Sequence, residues 1–425
     1  MSDPANPLAR LEALPRFAVS GAGALKPGLE RITALLAVLG NPHRVYPVVH
    51  VAGTNGKGST ASMIAAIATA AGIRTGLHTS PHLLDVTERF RVDGIPVDSA
   101  WLIAAVERLE PHFETVNPSY FEVTVALAFE WFREAAVELA VIETGLGGRL
   151  DATNVVSPVV SVITDLAMDH AEVLGGTIQA IAFEKAGIIK DRIPVVASDS
   201  GAEVSRVFRE VATARSAPLE IIRDIPRRKL DLAGSHQLRN AALAVAAARR
   251  LTASGPPFDR IDEAAIERGL AQTIRYSGLR GRFEVLSERP FVAVDVAHNP
   301  DGLSTALATF DERCTDTGSK RILAFAVMAD KDVVAMARLI AAAGVTVLPV
   351  RLKPGRALEM DLLVRVLQET GCTMLESLPD AAMLPDWFAR HLTERDAALV
   401  AGSFYLAGPF LAAWPAAGPQ GPAGG

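Results

Sequence analysis

One stretch of the chain combines the residue types that grip phosphate. It reads HVAGTNGKGSTAS over residues 50–62 and follows directly on an apolar run. Glycines allow backbone N–H groups to turn toward one anion, and the start of a helix adds its dipole. Lys57 supplies a positive charge, and Ser59 or Thr60 offers a hydroxyl to a magnesium ion. The glycine spacing is one residue shorter than in a standard phosphate loop. The order of strand, loop and helix nevertheless predicts a nucleoside triphosphate site rather than a glycine-rich turn with an incidental lysine.

Three further residues have the chemistry or the position of magnesium ligands. Glu143 ends an apolar run, and ligands of open parallel sheets gather at the carboxyl ends of strands. A carboxylate beside a phosphate loop is a natural Mg²⁺ ligand, although a solvated acid at a strand end is the alternative. His170 follows the next strand, but magnesium prefers oxygen ligands, so a structural histidine fits equally well. Ser80 precedes a proline in a loop after another short strand, which alone indicates little.

Lys185 is unusual because it lies on a mostly apolar helical segment, AFEKAGIIK. The ordinary interpretation is a lysine that extends to the surface or pairs with an acid. A buried lysine with a lowered pKa could instead act as a nucleophile or react with carbon dioxide. The residues alone leave both interpretations open.

Strands and helices alternate along the chain, which predicts an α/β fold with parallel sheets covered on both faces. Buried strands are predicted at PVVHVAG, ELAVIET, PVVSVIT and IPVVAS, and helices after Lys57 and over 177–190. A second set of elements, from FVAVD to AALVAGS, begins near Pro290 and predicts a smaller Rossmann-like α/β domain. We therefore expect a P-loop-type ATPase domain over 1–286, a second domain over 287–415 and a disordered tail over 416–425.

The composition narrows the class of protein. The chain has 425 residues, of which 49% are hydrophobic and 21% charged, and its net charge is −6. These values are ordinary for a globular enzyme of two or three domains, and the lack of a basic excess argues against nucleic-acid and membrane-surface partners. Cys314 and Cys372 lack metal-ligand spacing and fit a reducing cytoplasm. The amino-terminal segment lacks the apolar core of a signal peptide, and charges interrupt the apolar helices before they could cross a bilayer.

Several spaced motifs make the chain similar to one family. They occur in the order GTNGKGST, TSPHL, YFE, ETGLGGRLDATN, DHAEVLGGTIQAIAFEKAGI, HQLRNA, GRFEV and DVAHNP. Together they resemble the motifs of folylpolyglutamate synthase and dihydrofolate synthase, which are members of the Mur ligase superfamily. The resemblance extends from about Gly28 to Phe404, and an ordered set of motifs is far more specific than a phosphate loop alone.

The resemblance implies an ATP-dependent ligase that uses magnesium. In this family a carboxylate attacks the γ-phosphate of ATP and becomes an acyl phosphate, from which the amino group of L-glutamate displaces phosphate. The acid is dihydropteroate in dihydrofolate synthesis, and it is the γ-carboxylate of a folate's terminal glutamate in chain extension. Two anions must meet, so lysine and metal ions reduce their repulsion. We expect a bifunctional, cytoplasmic, monomeric enzyme that acts on dihydropteroate and reduced folates, without nucleic-acid or membrane partners.

The resemblance also assigns site residues. It implies two Mg²⁺ sites whose ligands are Ser59, Ser80, Glu143, His170 and a carbamylated Lys185. The implied phosphate and nucleotide contacts are Asn55, Gly56, Lys57, Gly58, Asn240, Arg282, Asp295 and His298. The implied contacts to the pterin acid are Gly28, Leu29, Glu30, Tyr120, Phe121, Glu122, Leu150, Asp151 and Ala152. The expected catalytic residues are Lys57, Glu143, His170 and Lys185. Because Arg282 and Asp295 lie on opposite sides of the predicted boundary, ATP is expected in the cleft between the domains.

One departure from the family pattern and several alternatives stay open. Val296 stands where the family commonly has glycine, so the turn on the ribose side is expected to differ. The region around Tyr120 does not distinguish the two activities, which leaves a monofunctional folylpolyglutamate synthase possible. The TSPHL and YFE motifs argue against a Mur-type ligase of a cell-wall precursor, and the second domain argues against a P-loop kinase or GTPase. A non-catalytic folate-binding protein predicts ligand binding without nucleotide turnover.

Overall fold

The chain folds as two compact α/β units. The computed structural model describes residues 6–16, 26–314, 319–353 and 355–415, and the predicted tail over 416–425 lies outside these residues. The two units are Met1–Arg282 and Phe283–Gly425. Each is built on a sheet of its own, which confirms the predicted fold class.

The first unit is organised around a sheet of eight strands among the residues described. The strands are β1 Val48–Ala52, β2 Thr75–His78, β3 Arg91–Val92, β4 Ile95–Pro96, β5 Leu139–Glu143, β6 Val160–Ile163, β7 Val195–Ser198 and β8 Leu219–Ile222. Their order across the sheet is β4-β3-β2-β5-β1-β6-β7-β8, and β3 and β4 run antiparallel to their neighbours. Every residue of β1 and β5 is buried, as expected for central strands of a parallel sheet.

Helices cover both faces of this sheet. They are α1 Pro7–Ala13, α2 Glu30–Val38, α3 Lys57–Ala70, α4 Ser99–Leu109, α5 Phe113–Val116, α6 Tyr120–Glu134, α7 Ala171–Leu174, α8 Ile178–Ala186, α9 Ala202–Ala214, α10 His236–Thr252, α11 Glu263–Ala271 and α12 Thr273–Ser277. Short 3₁₀ helices lie at Pro42–Arg44, Val86–Arg89, Glu110–His112, Ala152–Val155 and Phe258–Arg260. Helix α3 is buried among α10, α11 and α12, so the glycine loop at its start is attached to the centre of the core.

One helix is shorter than the sequence predicts. The apolar pattern predicts a helix over 177–190, but α8 ends at Ala186. At Gly187 a Cβ would lie 2.3 Å from Arg149 Cβ, so the backbone there packs directly on a neighbouring loop. Ile188 and Ile189 are buried in tight turns after the helix, which explains their apolar character.

The second unit contains a smaller sheet, with five strands in its described part. The strands are β9 Glu284–Glu288, β10 Phe291–Val294, β11 Arg321–Phe325, β12 Thr346–Pro349 and β13 Ala397–Ala401, in the order β12-β11-β13-β10-β9. The helices are α13 Pro300–Arg313, α14 Val333–Ala343, α15 Met360–Glu369, α16 Leu384–His391 and α17 Phe404–Ala413, with a 3₁₀ helix at Ala381–Met383. The sequence did not predict β9, which pairs antiparallel with β10. The second unit begins at Phe283, so both strands of this pair lie within it.

Over the described ranges of the chain, no helix combines the length and the apolar character that a membrane crossing requires.

Candidate active site

The glycine loop joins β1 to α3 and is held in place by the end of β6. Thr54 N and Asn55 N donate to the carbonyl of Asp165 at 2.9 and 3.2 Å, and Thr164 Oγ1 donates to Asn55 O at 2.8 Å. Gly56 is the N-cap of α3 at φ 84°, a left-handed conformation that favours glycine, and no side chain caps the helix. The uncapped start of a long buried helix is a ready-made site for an anion.

Lys57 brings a positive charge to the start of this helix. Its Nζ donates to Thr54 O at 3.1 Å, so the side chain folds back over the glycine loop. Burial raises the pKa of Glu143, and the charge of Lys57 opposes that rise. Burial lowers the pKa of Lys185, and the charge of Lys57 lowers it further. These three predicted catalytic residues therefore lie in one electrostatic environment.

Glu143 is a buried carboxylate at the carboxyl end of β5. It is 3% exposed, and among the described residues only Ser80 N donates a hydrogen bond to it, at 3.0 Å. Burial raises its pKa, and the charges of Lys57 and Arg282 oppose that rise. A Cβ on Gly58 would lie 3.0 Å from Arg282 Nη2 and 3.6 Å from Glu143 Oε2, so this glycine leaves an open corner between acid and cation. The structure thus brings together Ser80, Glu143 and the start of α3.

The hydroxyls at the start of α3 are buried. Ser59 is 2% exposed and Thr60 is fully buried, and Thr60 Oγ1 has no hydrogen-bond partner in the described part of the molecule. Mg²⁺ binds carboxylates, hydroxyls, phosphates and water rather than a cage of acids. The described residues contain no cluster of three His, Cys, Asp or Glu side chains that could hold a metal by themselves. The available oxygens of Glu143 and the α3 hydroxyls fit a magnesium ion shared with a bound phosphate.

Lys185 is buried in α8 and contacts the glycine loop. It is 4% exposed, and its Nζ donates to Gly53 O at 2.7 Å. Burial and the nearby charge of Lys57 lower its pKa to about 7, whereas Asp169 and Asp151 act in the opposite direction. An amine with this pKa is largely neutral just above neutral pH, so its nitrogen lone pair is available to react. The surface-exposed lysine of the ordinary interpretation is not what the structure has.

His170 lies at the start of α7 in a left-handed conformation, with φ 51°. Its side chain is 22% exposed, and its Nε2 is 3.8 Å from Asp169 Oδ1. Asp169 also accepts a hydrogen bond from His170 N. The histidine therefore follows β6 as predicted, beside an acid whose charge acts on Lys185.

The predicted pterin-acid contacts separate into two groups. Asp151 Oδ2 accepts from Gly145 N and Leu146 N at 2.9 and 2.8 Å, and Oδ1 accepts from Thr153 N and Thr153 Oγ1 at 3.0 and 2.5 Å. His50 Nε2 lies 2.8 Å from the same Thr153 hydroxyl. A carboxylate has about four acceptor sites, so Asp151 uses its capacity to close the loop after β5.

Glu122 has a similar internal role. It forms a capping box with Ser119 at the start of α6, and its Oε1 accepts from Arg31 Nε at 3.1 Å. Leu29 is the N-cap of α2, and Glu30 folds back against Gly28, whose Cβ would lie 2.2 Å from Glu30 Oε2. These residues shape the helix ends near the predicted substrate position.

The rings and apolar side chains form the second group. Phe121 packs so closely on the loop after β5 that a Cβ on Gly145 would lie 2.5 Å from its Cζ. Its ring centroid is 6.2 Å from that of His78, a buried histidine at the end of β2. Leu150 is 39% exposed, and Ala152 and Tyr120 are buried. Phe121 and Leu150 are thus the better-placed members for contact with a flat ring.

Sequence reasoning missed Arg89, which lies behind Tyr120. Its Nε donates to His82 Nδ1 at 2.9 Å, its carbonyl accepts from His78 Nδ1, and its Cζ lies 5.4 Å from the Tyr120 ring centroid. Its charge also opposes the rise that burial causes in the pKa of Glu143. The sequence shows only that Arg89 is a charged residue a few positions after the TSPHL motif. Nothing in the local pattern indicates that its side chain is buried.

The predicted nucleotide contacts lie in both units. In the first, Asn240 is buried near the start of α10, its Nδ2 donates to Gln237 Oε1 at 2.9 Å, and its Oδ1 lies 2.3 Å from a Cβ position on Gly56. In the second, Asp295 accepts from Phe283 N and Ala297 N, both at 2.7 Å, and so fixes the turn after β10. His298 Nδ1 is 3.0 Å from Val296 O, and its ring lies 5.7 Å from that of Phe404.

Comparison with known domains defines the class of protein. Residues 51–200 match the family model described as the Mur ligase middle domain, and residues 281–404 match that of the Mur ligase glutamate ligase domain. The first match includes the glycine loop, Glu143 and Lys185, and the second includes Asp295. The chain therefore has the middle and glutamate ligase domains of a Mur-type ligase.

Similar proteins identify the family within this class. Folylpolyglutamate synthase of Lacticaseibacillus casei is 35% identical over 94% of this chain and 96% of its own. Dihydrofolate synthase/folylpolyglutamate synthase of Bacillus subtilis is 36% identical over 72% and 77%. The structure of Escherichia coli FolC in complex with DHPP and ADP has a TM-score of 0.83 at 29% identity and covers 96% and 97%. The chain belongs to the folylpolyglutamate synthase and dihydrofolate synthase family. The predicted family and the predicted class of ATP-dependent amino-acid ligase are thus confirmed.

Proposed function

We propose that this protein joins L-glutamate to dihydropteroate and to folate polyglutamates, with ATP converted to ADP and phosphate through an acyl phosphate. The observation that carries the proposal is the convergence of Lys57, Glu143 and Arg282 at the uncapped start of α3. The names of the relatives and the ADP in the Escherichia coli structure support the substrates. The same names support both activities and leave the monofunctional synthase as the alternative.

Binding of the triphosphate is assigned to the glycine loop. The backbone of Asn55, Gly56 and Gly58 and the N–H groups of α3 would face the phosphates, and Lys57 would neutralise their outer charge. Asn240 and Arg282 lie near this loop in the same unit, which supports their assignment to the nucleotide. Asp295 and His298 stay predictions that rest on the family resemblance.

Magnesium is assigned to the oxygens around Glu143. Ser59, Ser80, Glu143 and His170 would hold a first ion together with phosphate oxygens, and that ion supplies charge neutralisation of the transferring phosphoryl group. Glu143 would bind as the carboxylate, which Lys57 and Arg282 favour electrostatically. Ser80 N would continue to orient the carboxylate by its hydrogen bond.

Lys185 is proposed to carry a carbamate that contributes a second Mg²⁺ ligand. The neutral amine nitrogen would bond to the carbon of CO₂, and the displaced proton would pass to solvent. A pKa of about 7 and a burial that disfavours the ammonium support this chemistry. The ammonium form of Lys185 is a buried cation that the charge of Lys57 repels. The carbamate would instead be an anion that the charge of Lys57 attracts.

The acid substrate is assigned to the surface formed by Phe121, Leu150 and Ala152. Phe121 offers a ring for stacking, and the loop closed by Asp151 holds Leu150 and Ala152 in place. The helix ends would shape this surface, through Gly28, Leu29, Glu30, Tyr120 and Glu122.

We further propose that the first unit performs catalysis and that the second acts as the glutamate ligase domain of a monomer. Cys314 and Cys372 are both free, which agrees with a reducing cytoplasm.

A phosphate-release assay tests the function. Purified protein with Mg-ATP is given dihydropteroate, a reduced folate or no acid, each with and without L-glutamate. We expect ADP and phosphate only when an acid and L-glutamate are both present, with dihydrofolate or an extended folate as the second product. Release of phosphate that ignores L-glutamate would contradict the ligase, and ligand binding without turnover would favour a folate-binding protein.

A further inference from the structure

Asp165 follows Thr164 just after the end of β6 and contacts three elements of the first unit. The chemistry proposed above gives this residue no role. The carbonyl of Asp165 accepts hydrogen bonds from Thr54 N and Asn55 N of the glycine loop, at 2.9 and 3.2 Å. Its carboxylate accepts from Ser198 Oγ at the end of β7, and from Arg239 Nη1 of α10 at 2.7 Å. One residue therefore connects the glycine loop, the neighbouring strand and the first turn of α10.

The same turn of α10 also meets the glycine loop directly. Asn240 follows Arg239 in sequence and is 4% exposed. Its Oδ1 lies 2.3 Å from the position that a Cβ on Gly56 would occupy. The placement of the α10 first turn thus determines how closely Asn240 approaches the loop that precedes α3.

Arg239 occupies a position that helix electrostatics disfavours. It lies in the first turn of α10, which begins at His236 and contains no acid. The amino end of a helix carries partial positive charge, so a cation there is unfavourable unless an anion accompanies it. Asp165 supplies that anion. The side chains are 46% and 29% exposed, and pairs this exposed contribute little to stability.

We propose that Asp165 and Arg239 are a positioning pair that fixes Asn240 against the glycine loop and thereby sets the affinity for nucleotide. Neither side chain is placed on the reacting atoms, and both act through Asn240 and through the backbone of Thr54 and Asn55. The inference rests on the proposed function in one respect, the binding of nucleotide at this loop.

The neighbouring strand offers a matched control. Asp199 follows β7, and its carboxylate accepts from Arg223 Nε at 2.9 Å, with side chains 33% and 66% exposed. Its other bonds are to Ser205 Oγ and Gly201 N, at 3.2 and 3.4 Å. This pair has the same chemistry one strand further along, and within the described part of the chain neither of its side chains bonds to the glycine loop.

The test measures the Kd for ADP by calorimetry, the KM for ATP, kcat and Tm for Arg239→Ala, Arg239→Lys and Arg223→Ala. We expect Arg239→Ala to raise the Kd for ADP and the KM for ATP about tenfold while kcat changes less than about twofold. Arg239→Lys should restore most of the affinity, because a single nitrogen makes the contact. Arg223→Ala should leave both constants unchanged.

A double variant completes the test. Asp165→Ala combined with Arg239→Ala should cost no more affinity than Asp165→Ala alone, because the two side chains act together. A lower Tm with unchanged ADP affinity in Arg239→Ala would overturn the proposal, as would additive losses or an equal loss in Arg223→Ala. The ADP measurement needs neither acid nor L-glutamate, so it still decides the role of the pair if the ligase assay fails.

Discussion

Two buried carboxylates lie at and just after the carboxyl end of β5, and their hydrogen-bond partners differ. Glu143 receives a hydrogen bond from Ser80 N and lies in the electrostatic field of Lys57 and Arg282. Asp151 receives bonds from two backbone N–H groups on one oxygen, and from the N–H and the hydroxyl of Thr153 on the other. Glu143 therefore has acceptor sites left for a ligand, whereas Asp151 uses its acceptor sites for hydrogen bonds within the fold.

This difference divides the site into two parts. The ligand side consists of Lys57, Glu143 and Lys185, which are titratable groups with few internal partners. The loop side consists of Asp151, Thr153 and His50, which bond to one another and to the backbone. Substitutions on the ligand side should change catalysis more than stability, and substitutions on the loop side should do the reverse.

Lys57→Ala should have the largest effect. It removes the cation at the start of α3, and the loss of one electrostatic group in a catalytic site lowers kcat by about 10²–10³-fold. The Tm should stay close to that of the wild type, because the lysine makes one hydrogen bond to a loop carbonyl. Steady-state turnover and thermal unfolding measure the two quantities, and an unchanged kcat would remove Lys57 from the ligand side.

The pair Glu143→Gln and Asp151→Asn compares the two sides directly. Glu143→Gln should lower activity about 10–100-fold through weaker metal binding, with unchanged or higher stability because a buried charge is removed. Asp151→Asn should reduce the free energy of unfolding by about 1–3 kcal/mol, because its amide nitrogen cannot accept from the loop N–H groups. Denaturant unfolding and Mg²⁺ titration of activity measure both effects. Equal loss of stability in the two variants would break the comparison.

Variants of Lys185 test whether this residue belongs to the ligand side as a carbamate. A carbamate predicts that Lys185→Ala lowers activity by about 10–100-fold and that acetate partly restores it, because acetate supplies a carboxylate in the vacated space. Lys185→Arg should be no better than alanine, since arginine remains cationic and does not react with CO₂.

An ordinary ion pair predicts the opposite order for the Lys185 variants. An active Lys185→Arg variant, compared at matched Tm, would exclude the carbamate. A bare ammonium at Lys185 in a crystal structure of the ATP-bound enzyme would do the same.

His50 should give the smallest effect, through the pH dependence of stability. Burial lowers its pKa from 6.5 to about 3, so the unfolded chain takes up a proton between these values and the folded chain does not. Stability from this group is complete above pH 6.5 and is lost as the pH falls, by up to about 1.4 kcal/mol per pH unit. His50→Gln keeps a donor for Thr153, and it should flatten the fall in unfolding free energy between pH 6.5 and 5. His112→Gln serves as the control, and an identical slope in both variants would contradict the assignment.

Much of the ligand side could be predicted because its signals are local. The order of strand, glycine loop and helix and the position of Glu143 at a strand end are readable from the sequence. The loop side is also partly readable, because Asp151-x-Thr153 is an N-cap pattern and Ser119-x-x-Glu122 is a capping box. The substrate contacts that the family resemblance implies for the same two acids stay predictions. The burial of Lys185 and Arg89 and the Asp165–Arg239 pair depend on elements distant in sequence, which periodicity does not reveal. Strands β3 and β4 have two residues each, too few for a pattern.

The central claim is that the acid is activated as an acyl phosphate at the ligand side. Dihydropteroate labelled with ¹⁸O in its carboxylate is incubated with the protein, Mg-ATP and L-glutamate, and the phosphate released is analysed by mass spectrometry. The mechanism predicts one ¹⁸O atom in each phosphate and ADP as the nucleotide product. Unlabelled phosphate, or AMP and pyrophosphate as products, would contradict it.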